Sequence, residues 1–226
     1  MKTLISKKLL LIVVVVFLAA SGIAISAYAL SQRQKEAPPT ASSKDPRTLE
    51  EKAKRGQGKL VANLDFNKGA QQTSLTKMVQ ASESIAIVTT VSNVCKLSED
   101  GKVVRTFYRA RVEDVLKGHV KSGGEITVSL PGGKVGFPDG STAEVQTVWF
   151  RKMLNNKRYL LFLSGKPTSD SFTTTGGPQG VFEIPADGSG VLSHSGLAND
   201  VMRQYDHKSA TSFLSEIKQA MKGQSK

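Results

Sequence analysis

Ser193, His194 and Ser195 are consecutive in the sequence, with acidic residues close by. The acidic residues are Asp187, Asp200 and Asp206. Serine, histidine and aspartate form hydrolytic triads, in which the histidine takes the proton of the serine nucleophile. Adjacent side chains point to opposite sides of a strand, so neither serine would easily meet the imidazole. Residues 193–207 are thus a candidate hydrolase site, and a polar loop after the last strand is the simpler interpretation.

A second candidate centre combines His194 and His207 with Asp200 or Asp206 as metal ligands. Their spacing matches neither the helical nor the hairpin pattern of metal ligands, so we expect the histidines to lie on the surface. The chain has three histidines and a single cysteine, Cys95, which excludes a multi-cysteine zinc or iron–sulfur site. We therefore predict no bound metal and no other cofactor.

Two glycine-rich segments, residues 132–134 and 176–180, could form ligand-binding loops. A phosphate-binding loop needs the pattern Gly-x-x-x-x-Gly-Lys-Ser/Thr at the start of a helix. Val135 and Pro138 follow the first segment and do not fit that pattern or that helix. We expect these glycines to serve turns with positive φ, and ligand binding at the loops stays open as an alternative.

Basic and aromatic residues alternate with mostly apolar ones between residues 103 and 116. This period of two predicts a strand with one buried face and one solvated face. The solvated face carries the candidate binding residues, which are Arg105, Phe107, Arg109 and Arg111. Cations beside an aromatic ring suit an anionic ligand, which could be an acidic polysaccharide, an anionic envelope surface, an acidic protein or single-stranded nucleic acid. A solvated face without a ligand is the simpler alternative.

The formal net charge of +12 over 226 residues at first suggests a nucleic-acid partner. The charge is unevenly distributed, because Lys2, Lys7 and Lys8 contribute +3 and residues 30–60 contribute +4. Only +5 remains for residues 61–226, which is ordinary for a soluble domain. The charge of the folded part is therefore weak support for nucleic acid, and the other anionic partners are preferred.

The N-terminus has the layout of an export signal. A basic pair at residues 7–8 precedes an apolar run over residues 9–20, as in a secretory signal. The sequence Ala-Tyr-Ala at residues 27–29 fits a cleavage site that would end a signal peptide of residues 1–29. Residues 9–30 are uncharged and also long enough to remain as an inner-membrane anchor. In both cases we expect the rest of the chain outside the cytoplasm, either in the periplasm or secreted, and this location disfavours nucleic acid.

Residues 30–60 are polar, contain prolines and glycines, and show almost no apolar periodicity. This composition predicts a basic linker. A short helix over residues 46–55 is compatible with it, with Asp45 as the cap and Pro46 as the first helical residue. A second short helix is predicted to begin after Ser74, which can cap it.

The remaining sequence predicts a single all-β domain, residues 61–226, with flanking helices. Runs rich in β-branched residues, or with a period of two, indicate strands. The predicted strands are residues 85–95, 103–116, 125–130, 145–150, 158–163, 181–184 and 190–193. Residues 134–144 are interpreted as a loop and residues 173–180 as turns. Apolar residues at helical spacing predict a C-terminal helix over residues 209–222 that begins after Ser209. Five to seven antiparallel strands with short turns are typical of a small barrel or sandwich.

Four segments of the sequence resemble the netrin-like domain of the tissue inhibitors of metalloproteinases. They are residues 84–91, the turn at 99–101, residues 108–118 ending in Val-Leu-Lys-Gly, and residues 156–163 with the pattern Tyr-Leu-Leu-Phe-Leu. The sequence is also similar to uncharacterised exported bacterial proteins, and the resemblance covers residues 75–195. It implies a five-stranded OB-type barrel and an extracytoplasmic binding role.

The metalloproteinase inhibitors use an N-terminal, disulfide-bonded cysteine to bind the zinc of the protease. Here the only cysteine, Cys95, lies within a predicted strand, and the mature chain would begin at Leu30 or with the membrane segment. No inhibitory residue can therefore be transferred to this sequence. Together, these observations predict an exported, non-enzymatic binding or interaction module. An extracytoplasmic hydrolase that uses residues 193–207 and a protease-inhibitor-like protein are the alternatives.

Overall fold

The computed structural model describes residues 47–64, 71–166, 171–197 and 200–223. The strands in these ranges are β1 (Lys59–Asn63), β2 (Ser84–Leu97), β3 (Val104–Lys117), β4 (Glu125–Pro131), β5 (Gly133–Gly136), β6 (Thr142–Gln146), β7 (Arg158–Ser164), β8 (Ser171–Thr174), β9 (Val181–Glu183) and β10 (Leu192–Ser193). The helices are α1 (Leu49–Arg55), α2 (Leu75–Ala81) and α3 (Ala210–Lys222), with 3-10 helices at Gly177–Gly180 and Val201–Tyr205. The predicted signal or anchor and most of the predicted linker lie outside the described residues.

The larger sheet has seven strands in the order β10-β9-β7-β2-β3-β4-β8. Neighbouring strands are antiparallel, except that β8 runs parallel to β4. β8 also pairs with β7, where Leu163 lies opposite Thr174. The turn predicted over residues 173–180 is therefore confirmed only after Thr174. The sheet and its flanking helices confirm the predicted all-β class.

The hairpin of β2 and β3 is the longest element of this sheet, with 14 residues in each strand. β2 pairs with β7 only from Ser84 to Thr89. A register shift after Thr90 marks a bulge, which bends a strand locally. From Ser92 to Leu97, β3 is the only strand that pairs with β2 among the described residues. β4 continues the sheet on the other side of β3.

A second sheet, with the order β1-β6-β5, differs from the prediction. The loop predicted over residues 134–144 is wrong, because most of β5 and the start of β6 lie there. The strand predicted over residues 145–150 ends at Gln146, and a turn follows. Glycines and Pro138 interrupt the alternation in this region, and β6 pairs in parallel with β1, a partner that is distant in sequence. Local periodicity cannot indicate such a pairing.

Helix α1 lies inside the segment 30–60 that the sequence predicts as a linker. Thr48 caps it rather than Asp45, through a capping box with Glu51. Thr48 N donates to Glu51 Oε2 at 2.8 Å, and Glu51 N donates to Thr48 Oγ1 at 3.2 Å. Leu49 is buried against the small sheet. The folded part of the chain therefore begins before the predicted boundary at residue 61.

Helix α3 packs on the larger sheet, and Ser209 caps it as predicted. The ring of Phe213 has centroid distances of 4.7 Å to Phe182 and 4.8 Å to Tyr205. Phe213 and Ile217 are buried, whereas the other apolar residues of the helix are only partly buried. None of the helices in the described ranges has both the length and the apolar character needed to cross a bilayer.

In the described ranges, the buried apolar side chains form three clusters. The first lies on one face of the central strands and includes Val88, Tyr108 and Leu161. The second lies between the larger sheet and the helices α2 and α3. The third joins the small sheet and α1 to Val104, and Cys95 packs against it. The inner side of the hairpin end is thus covered by the small sheet, and its outer side faces solvent.

Candidate functional site

The four predicted binding residues lie on the outer face of β3. The inward positions Thr106, Tyr108 and Ala110 are buried and alternate with them along the strand. The outward residues are Arg105, Phe107, Arg109 and Arg111, of which the first two are partly exposed and the last two exposed. The alternation seen in the sequence is therefore confirmed residue by residue over this part of β3.

Contacts with the neighbouring strands hold three of these side chains. Arg105 Nε donates to Ser129 Oγ at 2.7 Å, and its Nη2 donates to Ser129 O at 3.4 Å. Arg109 Nε lies 3.6 Å from Glu125 Oε2. Lys96 Nζ, from β2, lies 5.5 Å from the centre of the Phe107 ring. The outer face is thus an ordered surface in which a ring is surrounded by cations.

Two depressions open on this face, and Phe107 lines both of them. The larger, of about 530 Å³, lies toward β8 and is also lined by Arg105 and Lys166. The smaller, of about 270 Å³, lies toward β2 and is also lined by Lys96 and Arg109. Phe107 therefore separates two recesses, and each recess contains cationic side chains.

The charge on this face is mostly positive. Glu83 lines the larger depression, and its Oε2 accepts a hydrogen bond from Gly165 N at 2.9 Å. In the described ranges, Lys96 and Arg111 have no carboxylate within ion-pair distance. These two cations can therefore meet an anionic ligand without first leaving a carboxylate.

His194 is buried, which corrects the expectation of a surface histidine. Its Nδ1 lies 2.7 Å from Arg151 O, and its Nε2 lies 3.5 Å from Glu183 Oε2. The ring stands edge-on to Tyr159 with a centroid distance of 5.2 Å. Burial lowers the pKa of the imidazole, and it outweighs the opposing effects of the Arg151 carbonyl and Glu183. The ring is thus a packed, hydrogen-bonded part of the core.

The serines beside His194 are buried as well. As expected, the chain leaves the last strand after Ser193, but this polar segment packs inside the protein. Ser193 Oγ accepts from Ser195 N at 3.2 Å, and Ser195 Oγ accepts from Leu197 N at 3.4 Å. Within the described part of the chain, neither hydroxyl is hydrogen-bonded to His194. The structure thus separates the serine and histidine groups that a hydrolytic site would have to join.

The residues considered as metal ligands are not brought together. His207 is exposed, in a left-handed conformation with φ of 64°. Asp206 Oδ1 accepts a hydrogen bond from Ser193 N at 2.6 Å, and Asp200 Oδ1 accepts one from Met202 N at 2.8 Å. The described residues contain no group of three or more His, Cys, Asp or Glu side chains arranged to hold a metal ion.

Both glycine-rich segments contain the predicted positive φ angles, but only the second forms a tight turn. In the first segment, Gly133 and Lys134 lie in β5. Positive φ angles occur at Gly132, Gly133, Gly176 and Gly177. Gln179, in the second segment, is buried and joins two distant parts of the chain. Its Oε1 accepts from Gln72 N at 2.6 Å, and its Nε2 donates to Asp200 Oδ1 at 2.6 Å. Sequence reasoning missed this role, because no local pattern marks a glutamine whose partners are distant in sequence.

No protein-family model matches the sequence. The comparison with curated proteins likewise gives no significant match. The candidate site is therefore defined by its own residues: a half-exposed ring between two recesses, with arginine and lysine side chains around it.

Proposed function

We propose that this protein is an exported binding module that holds an anionic polymer on the outer face of β2, β3 and β4. The observation that carries the proposal is the position of Phe107 between two depressions that both contain cations. The ring offers flat apolar contact, and Lys96, Arg105 and Arg109 can pair with carboxylate or sulfate groups. The module would act by binding and not by catalysis.

The strand pairing supports an OB-type barrel as the scaffold. β8 pairs in parallel with β4 and antiparallel with β7, so the pairings connect β7, β2, β3, β4 and β8 in a ring. OB folds bind their ligands on the face of their second and third strands. In this ring those strands are β3 and β4, which carry Arg105 and Ser129. The netrin-like resemblance of residues 75–195 agrees with this scaffold.

Export is part of the proposal and depends on the N-terminal sequence. The basic pair at residues 7–8, the apolar run and the Ala-Tyr-Ala sequence at residues 27–29 favour secretion with cleavage. An acidic polysaccharide, an anionic envelope surface or an acidic protein would be available there. Mass spectrometry of the natural N-terminus tests this part, since a chain that begins at Leu30 is expected.

The binding face is tested by charge reversal. In the full chain, Arg105, Arg109 and Arg111 are replaced together by glutamate, and retention on immobilised dextran sulfate is measured over a salt gradient. We expect the variant to elute at markedly lower salt, because each reversal replaces an attraction by a repulsion. Circular dichroism verifies that the variant is folded.

A matched control distinguishes an effect of this face on retention from an effect of the overall net charge. Lys77, Lys121 and Lys218 are exposed and lie outside the two depressions. Their joint replacement by glutamate changes the net charge by the same amount. Elution of the control close to the wild type, with early elution of the face variant, supports the proposal. Unchanged retention of the face variant overturns it, and so does an equal loss in both variants.

A further inference from the structure

The far half of β2 is an open strand edge. From Ser84 to Thr89, β2 has β3 on one side and β7 on the other. From Ser92 to Leu97 it has β3 on one side and no strand on the other, within the part of the chain that the structure describes. An unpaired edge presents backbone N–H and C=O groups to any chain that can lie beside it.

The pairing with β3 determines which backbone groups face the open side. Ser98 N donates to Val103 O at 2.8 Å at the end of the hairpin. Hydrogen-bonded positions alternate along an antiparallel pair, so Lys96, Val94 and Ser92 direct their backbone groups toward β3. The opposite edge therefore carries the N–H and C=O groups of the intervening residues, which are Asn93, Cys95 and Leu97. Among the described residues, none of these backbone groups has a hydrogen-bond partner.

The side chains beside this edge are apolar and cationic. Val94 is 51% exposed, and Lys96 is exposed next to it on the outer face. The smaller depression is lined by Asn93 on the edge and by Arg109 and Phe107 on the face. The open edge and the basic face are therefore continuous.

We infer that the partner is an extended acidic polypeptide segment, which adds to the edge at Asn93, Cys95 and Leu97 as a further strand. Its backbone would pair with these three residues, and its outward carboxylates would lie beside Lys96 and Arg109. This inference rests on the proposed anion-binding function and specifies the ligand. A polysaccharide has hydroxyl groups but no backbone of alternating N–H and C=O groups at the spacing of a strand, which such an edge requires.

A second copy of the chain fits the edge less well than an acidic segment. If two copies paired antiparallel through this edge, the outer faces of both would lie side by side. Lys96, Arg105 and Arg109 of each copy would then approach like charges, which opposes the association. Opposite charge on the added strand removes this repulsion. We therefore assign the open edge to an acidic segment of another protein.

The test measures amide hydrogen exchange in the full chain with a synthetic peptide of alternating glutamate and threonine. We expect slower exchange at the amides of Asn93, Cys95 and Leu97 when the peptide is added. Dextran sulfate should bind the face without protecting these amides. The same peptide, N-methylated at alternate residues, should bind roughly tenfold more weakly, because it has lost donors to the edge.

A protein variant gives an independent readout. Cys95→Pro removes an N–H that faces the open edge and breaks no backbone hydrogen bond to β3. It also loses the contact of Cys95 Sγ with Thr106 Oγ1 at 3.4 Å. Cys95→Ala loses the same thiol and keeps the N–H, so it is the matched control. Weaker peptide binding by the proline variant alone, with unchanged dextran sulfate retention, supports the inference.

Equal affinity for the native and methylated peptides overturns the inference, whether or not the proline variant folds. Protection of the same amides that rises with protein concentration, without peptide, also overturns it and assigns the edge to a second copy. If the wild-type chain fails to bind the unmodified peptide but is retained normally on dextran sulfate, only this inference is refuted. If the variant with Arg105, Arg109 and Arg111 replaced by glutamate is retained on dextran sulfate as strongly as the wild type, the proposed function itself is refuted.

Discussion

Lys96 and Phe107 meet across the hairpin of β2 and β3, where Lys96 Nζ lies 5.5 Å from the centre of the ring. They are diagonal neighbours, since Phe107 lies directly opposite Val94 and Lys96 lies opposite Arg105. A cation over a ring at an exposed site contributes about 0.5–1 kcal/mol. The pair positions a charge at the entrance of the smaller depression, without an acidic partner for Lys96 in the described part of the chain.

The first prediction concerns Phe107→Leu. The leucine keeps apolar surface but loses the flat ring that positions Lys96 and lines both depressions. We expect affinity for dextran sulfate to fall about two- to fivefold, which corresponds to the loss of one exposed cation–π contact. The free energy of unfolding should change by less than about 1 kcal/mol, because the ring is only partly buried. Titration calorimetry and urea unfolding measure the two quantities.

Val148→Ala is the control for the aromatic ring. Val148 is 77% exposed and lies outside both depressions, so its replacement should leave the affinity unchanged. If Phe107→Leu binds dextran sulfate with the wild-type affinity, the ring does not contribute to binding. An equal loss of affinity in the Val148 variant would mean that apolar surface anywhere on the protein contributes to binding.

The second prediction compares the two glycines at the ends of β5. Gly133 has φ of 128°, and a Cβ there would lie 2.6 Å from Cys95 Sγ and 2.7 Å from Thr106 Oγ1. Gly133→Ala should therefore destabilise the protein by at least about 2 kcal/mol, through backbone strain and the clash under the hairpin. Gly136 has open space around it, so Gly136→Ala should change the stability by less than about 0.5 kcal/mol.

Urea unfolding of both glycine variants measures this difference. Both replacements add one methyl group to the same short strand, so the chemical change is identical and only the surroundings differ. Equal midpoints would show that the hairpin and the small sheet can separate without cost. A selective loss at Gly133 would establish their close packing, which also holds Cys95 beneath the open edge.

The sequence predicts the central strands well because each carries its own signal. In β3 the alternation of Arg105, Phe107 and Arg109 with buried residues is complete, so both the strand and its outer face can be derived locally. β7 is apolar along nearly its whole length, which is typical of a covered strand. The capping serine of α3 is likewise a local signal.

The small sheet, the two depressions and the buried polar residues depend on contacts between segments that are distant in sequence. β1 and β6 are short and pair in parallel, so no turn between them indicates the pairing. The two depressions need β8 beside β4 and the bulge after Thr90, and neither can be derived from the residues of β3. The neighbouring sequence does not predict the burial of His194 and Gln179, because the elements that cover these residues are distant in the chain.

The third prediction concerns Gln179→Leu. The leucine has a similar size but leaves Gln72 N and Asp200 Oδ1 without the amide that now bonds to both. Removing one partner of a buried polar group costs about 1–3 kcal/mol, so we expect a loss of about 2–4 kcal/mol in the free energy of unfolding. The loss should exceed that of Gln204→Leu, because Gln204 is exposed. A similar stability of the two variants would contradict a structural role for the Gln179 amide.

The fourth prediction is a pH dependence of stability that comes from His194. Burial lowers the pKa of this imidazole in the folded state from the ordinary value of 6.5. The unfolded chain therefore binds a proton more readily than the folded one once the pH falls below about 6.5. Stability due to this group is present above that pH and is lost as the pH falls, by at most about 1.4 kcal/mol per pH unit.

Urea unfolding between pH 8 and pH 5 measures this slope. In His194→Asn the amide nitrogen takes the position of Nδ1, so it can still donate to Arg151 O but does not titrate. The loss of stability with falling pH should therefore be smaller than in the wild type by the contribution of one group. His207→Gln, at an exposed position, should retain the wild-type slope. If the His194 variant loses stability as steeply as the wild type, another group causes the pH dependence. A steeper loss would mean that the imidazole is more easily protonated in the folded state, which is the opposite of what its burial beside Tyr159 requires.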